Sequence, residues 1–485
     1  MIRLQLLGGV DARRADGTRI DALLAQPRRL ALLAFLAIES ERGACSRERL
    51  LATFWPDKAP AQASANLRQA LAFLRRELGE ATVEGVGQHA LRVAPAHLAC
   101  DAVERLAQVR DAPSAPSPGE FLAALNLQNV GEDWETWLAA MRLRLAGEAG
   151  SGDDLPGPGG AAASTPGDPA ARAAYLRGRF HWNRRPRESL KALTCLEEAV
   201  QLAPDFAPGH AALADVYNTL GSWESGALAS GEAFPKAQAA AQRALQLDPC
   251  CAAAHTSLAY ATAHHGWDWR AASAQFTRAL ELDPAYAHAH HWHAHLLVAQ
   301  RRWQEGLAAG QRALALQPDD VIINVHMAWH HWLARDAAAA IEQADRTEHL
   351  DDTDQWPPFF RGMACVMCGR GDQAVDELRS AAQRSRGNAV MRAGLGYVYA
   401  ATGDKRAARA VLREFSEAAD TQQRYAYEAA VILAALGEAD AAFAALEAAW
   451  RTRSGWMAYL AVDPRWDPVR GDARFAALVA RLGLD

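Results

Sequence analysis

The chain has 485 residues, carries a net charge of −6, and 50% of its residues are of hydrophobic types. At roughly 150 residues per domain, this length predicts several domains, each large enough to bury its own core. The longest apolar run, residues 30–38, falls far short of the ~18 residues that a membrane-spanning helix needs, and seven scattered cysteines argue against a disulfide framework. These features predict a cytoplasmic protein without a membrane partner.

The charge is unevenly distributed along the chain. Residues 1–105 contain 15 Lys and Arg against 12 Asp and Glu, a balance of +3, so residues 106–485 carry −9. A more basic N-terminal part suits contact with a polyanion such as nucleic acid.

The first sixty residues predict a small sheet followed by two helices. Residues 2–7 alternate between apolar and polar side chains, and a turn at residues 15–17 precedes a second extended piece. From Pro27 the apolar period changes to that of a helix. Ser46 has the position of an N-cap for a second helix, which ends at Trp55-Pro56-Asp57.

Residues 60–78 predict a third, amphipathic helix with two unlike faces. One face is a leucine stripe, formed by Leu67, Leu71, Leu74 and Leu78. The other face carries amides, small residues and arginine, namely Gln62, Ala65, Asn66, Gln69, Ala72, Phe73 and Arg76. Amides and guanidinium groups are what base edges and phosphates accept, so this face predicts contact with nucleic acid. A core helix with an indifferent surface is the alternative.

A glycine-containing pattern at residues 83–93 predicts a hairpin after the third helix. The order of sheet, three helices and hairpin, with the segments PRRLALLAFLAIE, SRERLLATFWPD and AQASANLRQALAFLRREL, resembles the N-terminal DNA-binding domain of SARP-type bacterial transcriptional activators, relatives of the OmpR-type winged helices. The resemblance covers residues 1–98 and implies a winged helix-turn-helix whose third helix enters the major groove of promoter DNA.

The same resemblance implies roles for single residues. It implies that phosphates are contacted by Trp55, Arg75 and Arg76. It also implies that the residues nearest the bases are Gln62, Asn66, Gln69 and Phe73. The adjacent minor groove is approached, on the same resemblance, by His89 and Arg92. Phe73 stands where relatives often carry a basic residue, and its ring can pack on a thymine methyl group.

Each of three aromatic or basic residues also has a structural interpretation. Trp55 can close the core between the second and third helices, and Arg75 can be a solvated cation that favours the helix dipole. Phe73 can pack on a neighbouring domain. The sequence leaves these alternatives open.

Residues 99–146 resemble a shortened form of the bacterial transcriptional activator domain, carried by the pieces GEFLAAL and EDWETWL. A Pro/Ser stretch at residues 112–118 takes the place of a helical hairpin. Trp134 and Trp137 stand three apart on one helical face, and we expect them to pack onto the winged domain. Residues 147–170, rich in Gly, Ala and Pro, predict a flexible linker.

Residues 171–485 contain an internal repeat. The phrase Ala-Val/Leu-x-Leu-x-Pro ends at Pro204, Pro249, Pro284 and Pro318. A spacing of about 34 residues with Ala-rich paired helices is typical of tetratricopeptide repeats, and the first, longer interval places an insertion at residues 221–231. Small residues at Ala211, Ala212, Ala259 and Ala294 are expected to let the helices of a pair approach closely, and Gly403 and Gly437 to form later turns.

This half resembles tetratricopeptide arrays appended to bacterial regulators, through the segments WDW, AHHW and GWMAYLAVDPRWDPVR. The resemblance implies a superhelix whose concave face takes a protein or peptide partner, RNA polymerase among the candidates. A homodimer is compatible with this prediction.

Eleven of the sixteen histidines lie between residues 255 and 331. His288, His291 and His295 share one helical face, and His326 and His330 stand one turn apart in the next repeat. Core or groove-lining histidines are the favoured interpretation, because no carboxylate or cysteine joins them at ligand spacing; a metal or haem site is the alternative. Cys365 and Cys368 form a lone CxxC, which favours structural cysteines over a redox or metal pair.

The sequence contains no phosphate-binding loop, no GxSxG elbow and no HExxH motif, so it predicts neither an enzyme nor a cofactor. The fold class expected is mostly α: a winged helix-turn-helix (residues 1–98), a helical module (99–146), a linker (147–170) and an α-solenoid (171–485). The main hypothesis is a transcriptional activator that binds promoter DNA. The alternatives are a repeat scaffold or adaptor without sequence-specific DNA binding, and a metal- or haem-responsive sensor.

Overall fold

The computed structural model describes residues 1–484 except 25, 42, 57, 88, 112–120, 123–131, 147–167, 183–184, 186, 224, 226, 319, 386 and 417–423. The predicted linker up to residue 167 and the Pro/Ser stretch therefore lie outside the described residues. The described residues form two compact units. The first unit reaches to Phe180, and the second begins at His181.

The first unit contains two small sheets. One has the order β2-β1-β6 and is built from β1 (Ile2–Gln5), β2 (Asp11–Arg13) and β6 (Leu98–Cys100), with β2 antiparallel and β6 parallel to β1. The other is antiparallel with the order β3-β5-β4, from β3 (Cys45–Ser46), β4 (Val83–Val86) and β5 (Ala90–Val93). The hairpin predicted at residues 83–93 is confirmed.

The helices of the first unit are α1 (Asp21–Leu24), α2 (Pro27–Ser40), α3 (Arg47–Phe54), α4 (Pro60–Leu78), α5 (Asp101–Asp111) and α6 (Glu132–Ala146). The start of α2 at Pro27 and the bounds of α4 agree with the sequence prediction. Ser46 caps α3 as predicted, because its side chain accepts a hydrogen bond from the Arg49 amide at 3.1 Å.

Helix α6 belongs to the same hydrophobic core as α2 and α3. Trp134 and Trp137 are buried, with their ring centroids 5.2 Å from Phe54 and 4.7 Å from Phe35, so the expectation that they pack onto the first domain is confirmed. Trp137 also donates from Nε1 to Glu39 Oε1 at 2.8 Å. Strand β6 spans the predicted domain boundary at residue 98, and buried residues of α5 and α6 share one core with the preceding domain.

Helix α7 (Pro169–Trp182) ends at the boundary between the units, and a run of helices follows it. They are α8 (Ser189–Leu202), α9 (Ala207–Gly221), α10 (Ser230–Leu247), α11 (Ala252–Ala261), α12 (Trp269–Leu282), α13 (Ala287–Ala299), α14 (Trp303–Leu316), α15 (Val321–Leu333), α16 (Ala337–Leu350), α17 (Trp356–Met367), α18 (Gly371–Arg384), α19 (Ala389–Ala401), α20 (Lys405–Ser416), α21 (Ala426–Ala435), α22 (Ala439–Arg451) and α23 (Ala473–Arg481). A π-helical turn, Thr262–Gly266, extends α11.

From α9 onwards these helices pack in consecutive pairs, each with a first and a second helix. The repeated Leu-x-Pro phrase marks the end of a second helix, since α10 stops at Leu247, α12 at Leu282 and α14 at Leu316. The small residues predicted between paired helices are buried, and Gly403 and Gly437 adopt positive φ values of 95° and 82° in later turns. The helical repeat predicted from the sequence is confirmed.

First and second helices differ in burial. In α15, a first helix, every residue from Ile322 to His330 is buried, whereas α14, a second helix, buries only Gly306, Gly310 and Ala313. First helices also contact the first helices of neighbouring pairs. They therefore form the inner layer of the array, and second helices form its outer layer.

Both ends of the array contact repeats far away in sequence. Arg187 Nη1 lies 3.3 Å from Asp351 Oδ2, and Trp269 Nε1 donates to the Leu482 carbonyl at 2.6 Å. Among the helices described, none combines the length and the apolar character that crossing a membrane requires.

Candidate functional site

The outer face of α4 presents polar side chains to solvent. Gln62 and Gln69 are exposed, and Asn66 is half-buried, its Oδ1 accepting from Gln62 Nε2 at 3.1 Å. The Arg76 side chain is 70% exposed, with its Nε 3.0 Å from Glu77 Oε1. The amide and guanidinium groups proposed as DNA contacts on this face are therefore accessible, Asn66 partly.

Phe73 differs from the expectation that it faces outwards, because it is only 8% exposed. The guanidinium carbon of Arg29, from the start of α2, lies 4.2 Å from the ring centroid, and that of Arg76 lies 5.2 Å away. Two cations thus cover the ring by cation–π contact. The sequence pattern did not reveal this burial, because Arg29 comes from another helix.

Arg75 and Trp55 have structural roles. Arg75 donates from Nε and Nη2 to the Val83 carbonyl, both at 3.1 Å, which ties the end of α4 to strand β4. This is neither a solvated cation nor a free guanidinium. Trp55 is 6% exposed and packs beside Phe54 with ring centroids 6.0 Å apart, as the core interpretation expects.

The β4–β5 hairpin carries the remaining residues implied at DNA. His89 is exposed near its tip, and Arg92 is exposed on β5 but paired with Glu84 at 2.9 Å. An exposed pair of this kind is weak, so a phosphate can compete with the carboxylate for Arg92. The contacts of these residues with DNA remain predictions.

In the second unit, a segment near the C-terminus covers the inner layer of first helices. This segment, residues 455–469, contains the 3₁₀ helices Gly455–Tyr459 and Pro464–Val469 and is here called the C-terminal segment. Trp456 stacks on Trp223 at 4.5 Å between centroids, and the Tyr459 ring lies 4.6 Å from that of Trp329. Tyr459 Oη is also 2.8 Å from His264 Nε2.

The C-terminal segment contains a buried ion pair that is bonded to Tyr427 on α21. Arg465 Nη2 lies 2.7 Å from Asp463 Oδ2, with the two side chains 3% and 0% exposed. Tyr427 donates to the same carboxylate at 2.9 Å, and Trp466 Nε1 donates to Tyr427 Oη at 2.6 Å. A satisfied polar network of this kind fixes one arrangement of the segment.

The concave face predicted to take a partner is therefore covered, where the C-terminal segment packs, by the chain itself. Trp223, which contributes to this packing, lies in the insertion that the repeat spacing indicated at residues 221–231. Nothing in the sequence indicated that the insertion and the C-terminal segment meet, because Trp223 and Trp456 are 233 positions apart.

The histidines of α13 and α15 are brought together in the inner layer. His291 Nε2 lies 2.6 Å from His326 Nδ1, and His295 Nδ1 lies 2.9 Å from His330 Nε2. Burial, followed by the neighbouring imidazoles, lowers the pKa of His291, His295 and His330 well below the usual histidine value. The favoured interpretation as core histidines agrees with this burial.

The two cysteines of the CxxC pair differ in burial. Cys365 is buried in α17, where burial raises the pKa of its thiol, while Cys368 is exposed after the helix ends. Both cysteines are free thiols. The cluster of metal-ligating side chains found in the described part of the chain contains only histidines.

Solved structures similar to this chain include three tetratricopeptide-type matches. A tetratricopeptide repeat protein from Parabacteroides merdae aligns with 13% identity over 53% of this chain and 94% of its own, at a TM-score of 0.39. The PilF protein of Pseudomonas aeruginosa aligns with 19% identity over 44% and 97%, at 0.32. YrrB, described as a TPR protein with an unusual peptide-binding site, aligns with 18% identity over 45% and 99%, at 0.27.

No protein-family model and no curated protein sequence matches the chain. The assignment of helical repeats therefore rests on the paired helices and on the repeated Leu-x-Pro turns of this molecule.

Proposed function

We propose that the protein is an adaptor built on helical repeats, whose array binds a protein partner. The observation that supports this proposal is the separation of the array into a buried inner layer and an outer layer of second helices with open polar faces. Because the C-terminal segment packs on the inner layer, we assign the partner surface to the second helices. Repeat arrays with extended surfaces of this kind are typical of protein binding.

A test of the adaptor hypothesis is cross-linking of the full chain in the cells that produce it, followed by mapping of the linked residues. Links from a specific partner should fall on the second helices, such as α16 and α18. Links confined to the first unit, or no reproducible partner, would contradict the hypothesis.

A second candidate function is favoured by the exposed residues of α4. In this proposal the first unit is a winged helix-turn-helix that attaches the array to promoter DNA, which makes the chain a transcriptional regulator. Gln62, Gln69 and Arg76 lie on one outer face of α4, and the unit has a more basic balance than the rest of the chain. Amides on such a helix can read base edges while guanidinium groups hold phosphates.

Fluorescence anisotropy with genomic promoter fragments and a random duplex of equal length separates the two candidates. A regulator should prefer some promoter fragments by about 10³-fold or more over random duplex at physiological salt. Gln69→Ala should lower that preference by about 1–3 kcal/mol while leaving binding to random duplex unchanged. Equal affinity for all duplexes would argue against the regulator, and the adaptor would be the one of the two candidate functions that remains.

A further inference from the structure

The inner layer of the repeat array holds four imidazoles in mutual contact. They are His291 and His295 on α13, and His326 and His330 on α15, each 1% exposed. In both pairs the two histidines are 35 positions apart, so the repeat places equivalent positions of α13 and α15 side by side. Two successive turns of α13 thereby meet two successive turns of α15. Hydrogen-bonded imidazoles at this depth are unusual, because histidine is mostly found where at least one ring nitrogen reaches water or a carbonyl.

Three of these histidines converge on one point. His291, His295 and His326 each offer one ring nitrogen, and these nitrogens all lie within 4.8 Å of one another. His291 and His295 are one helical turn apart, the spacing by which helices present two imidazoles to one metal ion. His326 approaches from the neighbouring first helix, so the three donors come from two rigid elements.

Two nitrogens in this group are buried and have no hydrogen-bond partner among the described residues. They are His291 Nδ1 and His295 Nε2. The surroundings are aromatic rather than polar, with the Trp329 ring 5.2 Å from that of His295. Leaving a polar nitrogen in such surroundings costs about 1–3 kcal/mol. Coordination of a metal ion would offset this cost at His295 Nε2, whereas His291 would bind through Nε2, the nitrogen that faces His326.

We propose that His291, His295 and His326 bind a transition-metal ion of the class represented by Zn²⁺. Neutral imidazole suits Zn²⁺ and its first-row neighbours, whereas Mg²⁺ and Ca²⁺ require oxygen ligands that this group lacks. Zn–N bonds of about 2.0–2.1 Å place tetrahedral ligands about 3.3 Å apart. To reach this spacing, the rings must rotate so that the 2.6 Å pair opens and the wider ones close.

His330 acts as a positioning residue for this site. It bonds to His295 Nδ1, which leaves His295 Nε2 directed away from that hydrogen bond and available to the ion. A metal-ligating histidine usually uses its second nitrogen in this way, since the bond fixes the tautomer and the ring orientation. The fourth coordination position falls to water or hydroxide, and hydroxide also reduces the net charge of a site that holds no carboxylate.

The experiment uses the full chain produced without a histidine tag. The protein is unfolded in denaturant with a chelator, refolded with or without Zn²⁺ or Co²⁺, desalted, and measured by elemental analysis and visible absorption. We expect about one ion per chain and the d–d absorption of tetrahedral Co²⁺. His295→Gln and His326→Gln should lose the ion, and His330→Gln should weaken its binding about 10–100-fold.

His331→Gln is the matched control, because His331 lies on the same helix but is only half-buried and outside the converging group. Circular dichroism separates loss of the ion from loss of the fold in every variant. Wild-type protein that refolds without retaining either ion would overturn the proposal and leave the four imidazoles as a hydrogen-bonded core. That outcome would not affect the adaptor or DNA-binding proposals, which use other surfaces.

Discussion

Helix α4 of the first unit and helix α15 of the repeat array both mix apolar and polar residues, but they place the polar ones in opposite environments. Gln62 and Gln69 of α4 are exposed, whereas His326 and His330 of α15 are buried. The cause is the number of sides on which each helix is packed. α4 meets its core on one side, while α15 contacts α13, α14, α16 and α17 and also packs against the C-terminal segment.

This comparison shows that a polar side chain predicts a surface only on a helix that is packed on one side. On α4, amphipathicity separates the core face from the exposed face. On α15, polar residues at helical spacing meet polar residues of the preceding repeat and pair with them. Four predictions test this difference between buried and exposed polar groups. Two concern buried polar groups, and two concern the arginines at the end of α4.

The largest effect is expected from the buried ion pair of the C-terminal segment. Asp463→Ala should lower the free energy of unfolding by about 3–5 kcal/mol, because Arg465 keeps its charge without a partner in the interior. Urea unfolding of the full chain, followed by circular dichroism, measures the change. Replacing both residues, Asp463→Asn with Arg465→Met, should recover part of it.

The control for this prediction is Asp440→Ala. Asp440 pairs with Arg474, but its side chain is 97% exposed, so its removal should change stability by less than about 0.5 kcal/mol. Equal effects of Asp440→Ala and Asp463→Ala would contradict a buried role for the C-terminal segment.

The second effect depends on pH. Burial raises the pKa of Glu428 on α21 to about 7, so the folded protein holds this proton more tightly than the unfolded chain. The contribution of this proton to the free energy of unfolding is fully present below pH ~4.5. It decreases as the pH rises towards and above 7, and at pH 8 the free energy of unfolding is lower by about 3 kcal/mol. Glu428→Gln should remove this loss, so between pH 5 and pH 8 its stability relative to wild type should rise by about 2.5 kcal/mol.

Thermal unfolding of both proteins between pH 5 and 8 tests the prediction. Histidines titrate in both proteins and cancel in the difference between them. Glu342→Gln, at a side chain that is 78% exposed, is the control and should show no pH-dependent difference from wild type. A pH-independent difference for Glu428→Gln would mean that its carboxyl group is not held protonated.

A smaller effect is expected at Arg75. Arg75→Met keeps most of the side-chain stem but removes both hydrogen bonds to the Val83 carbonyl, so the first unit should lose about 1–2 kcal/mol of stability. If the first unit binds DNA, the salt dependence of that binding should be the same in this variant as in wild type, because these nitrogens already serve the fold. A reduced salt slope with unchanged stability would instead restore Arg75 as a phosphate contact.

The smallest effect on stability is expected at Arg76, whose side chain is exposed. Arg76→Ala should lower the free energy of unfolding by no more than about 0.5–1 kcal/mol, because Arg29 still covers the Phe73 ring. If the first unit binds DNA, the same variant should weaken binding to every duplex and reduce the slope of log K against log salt by about 1. Anisotropy titrations at several salt concentrations compare Arg75→Met with Arg76→Ala directly.

Much of the local structure follows from the sequence. Helix α4 begins at Pro60 and ends at Leu78 as its pattern indicates, because proline starts a helix well and the leucine stripe needs a single core to cover it. Trp134 and Trp137 pack where their spacing suggested. The environments of Phe73 and Arg75 did not follow, since Arg29 and Val83, which define them, come from other elements.

The histidine group illustrates the same limit. Spacing along α13 and α15 indicated shared faces, and the repeat period indicated that the two helices occupy equivalent places. It did not indicate that the faces meet at 2.6 Å, or that Trp329 and the C-terminal segment enclose them.

The sequence by itself determined the helices, their pairing and the repeat period, because these depend on local periodicity and on turn residues such as the proline after each second helix. Which faces of the helices are covered depends on contacts between distant segments and is visible in the fold alone. Tyr459 reaches His264 across 195 positions and Asp467 reaches Arg335 across 132, and no local pattern encodes which distant segment will bury a given face.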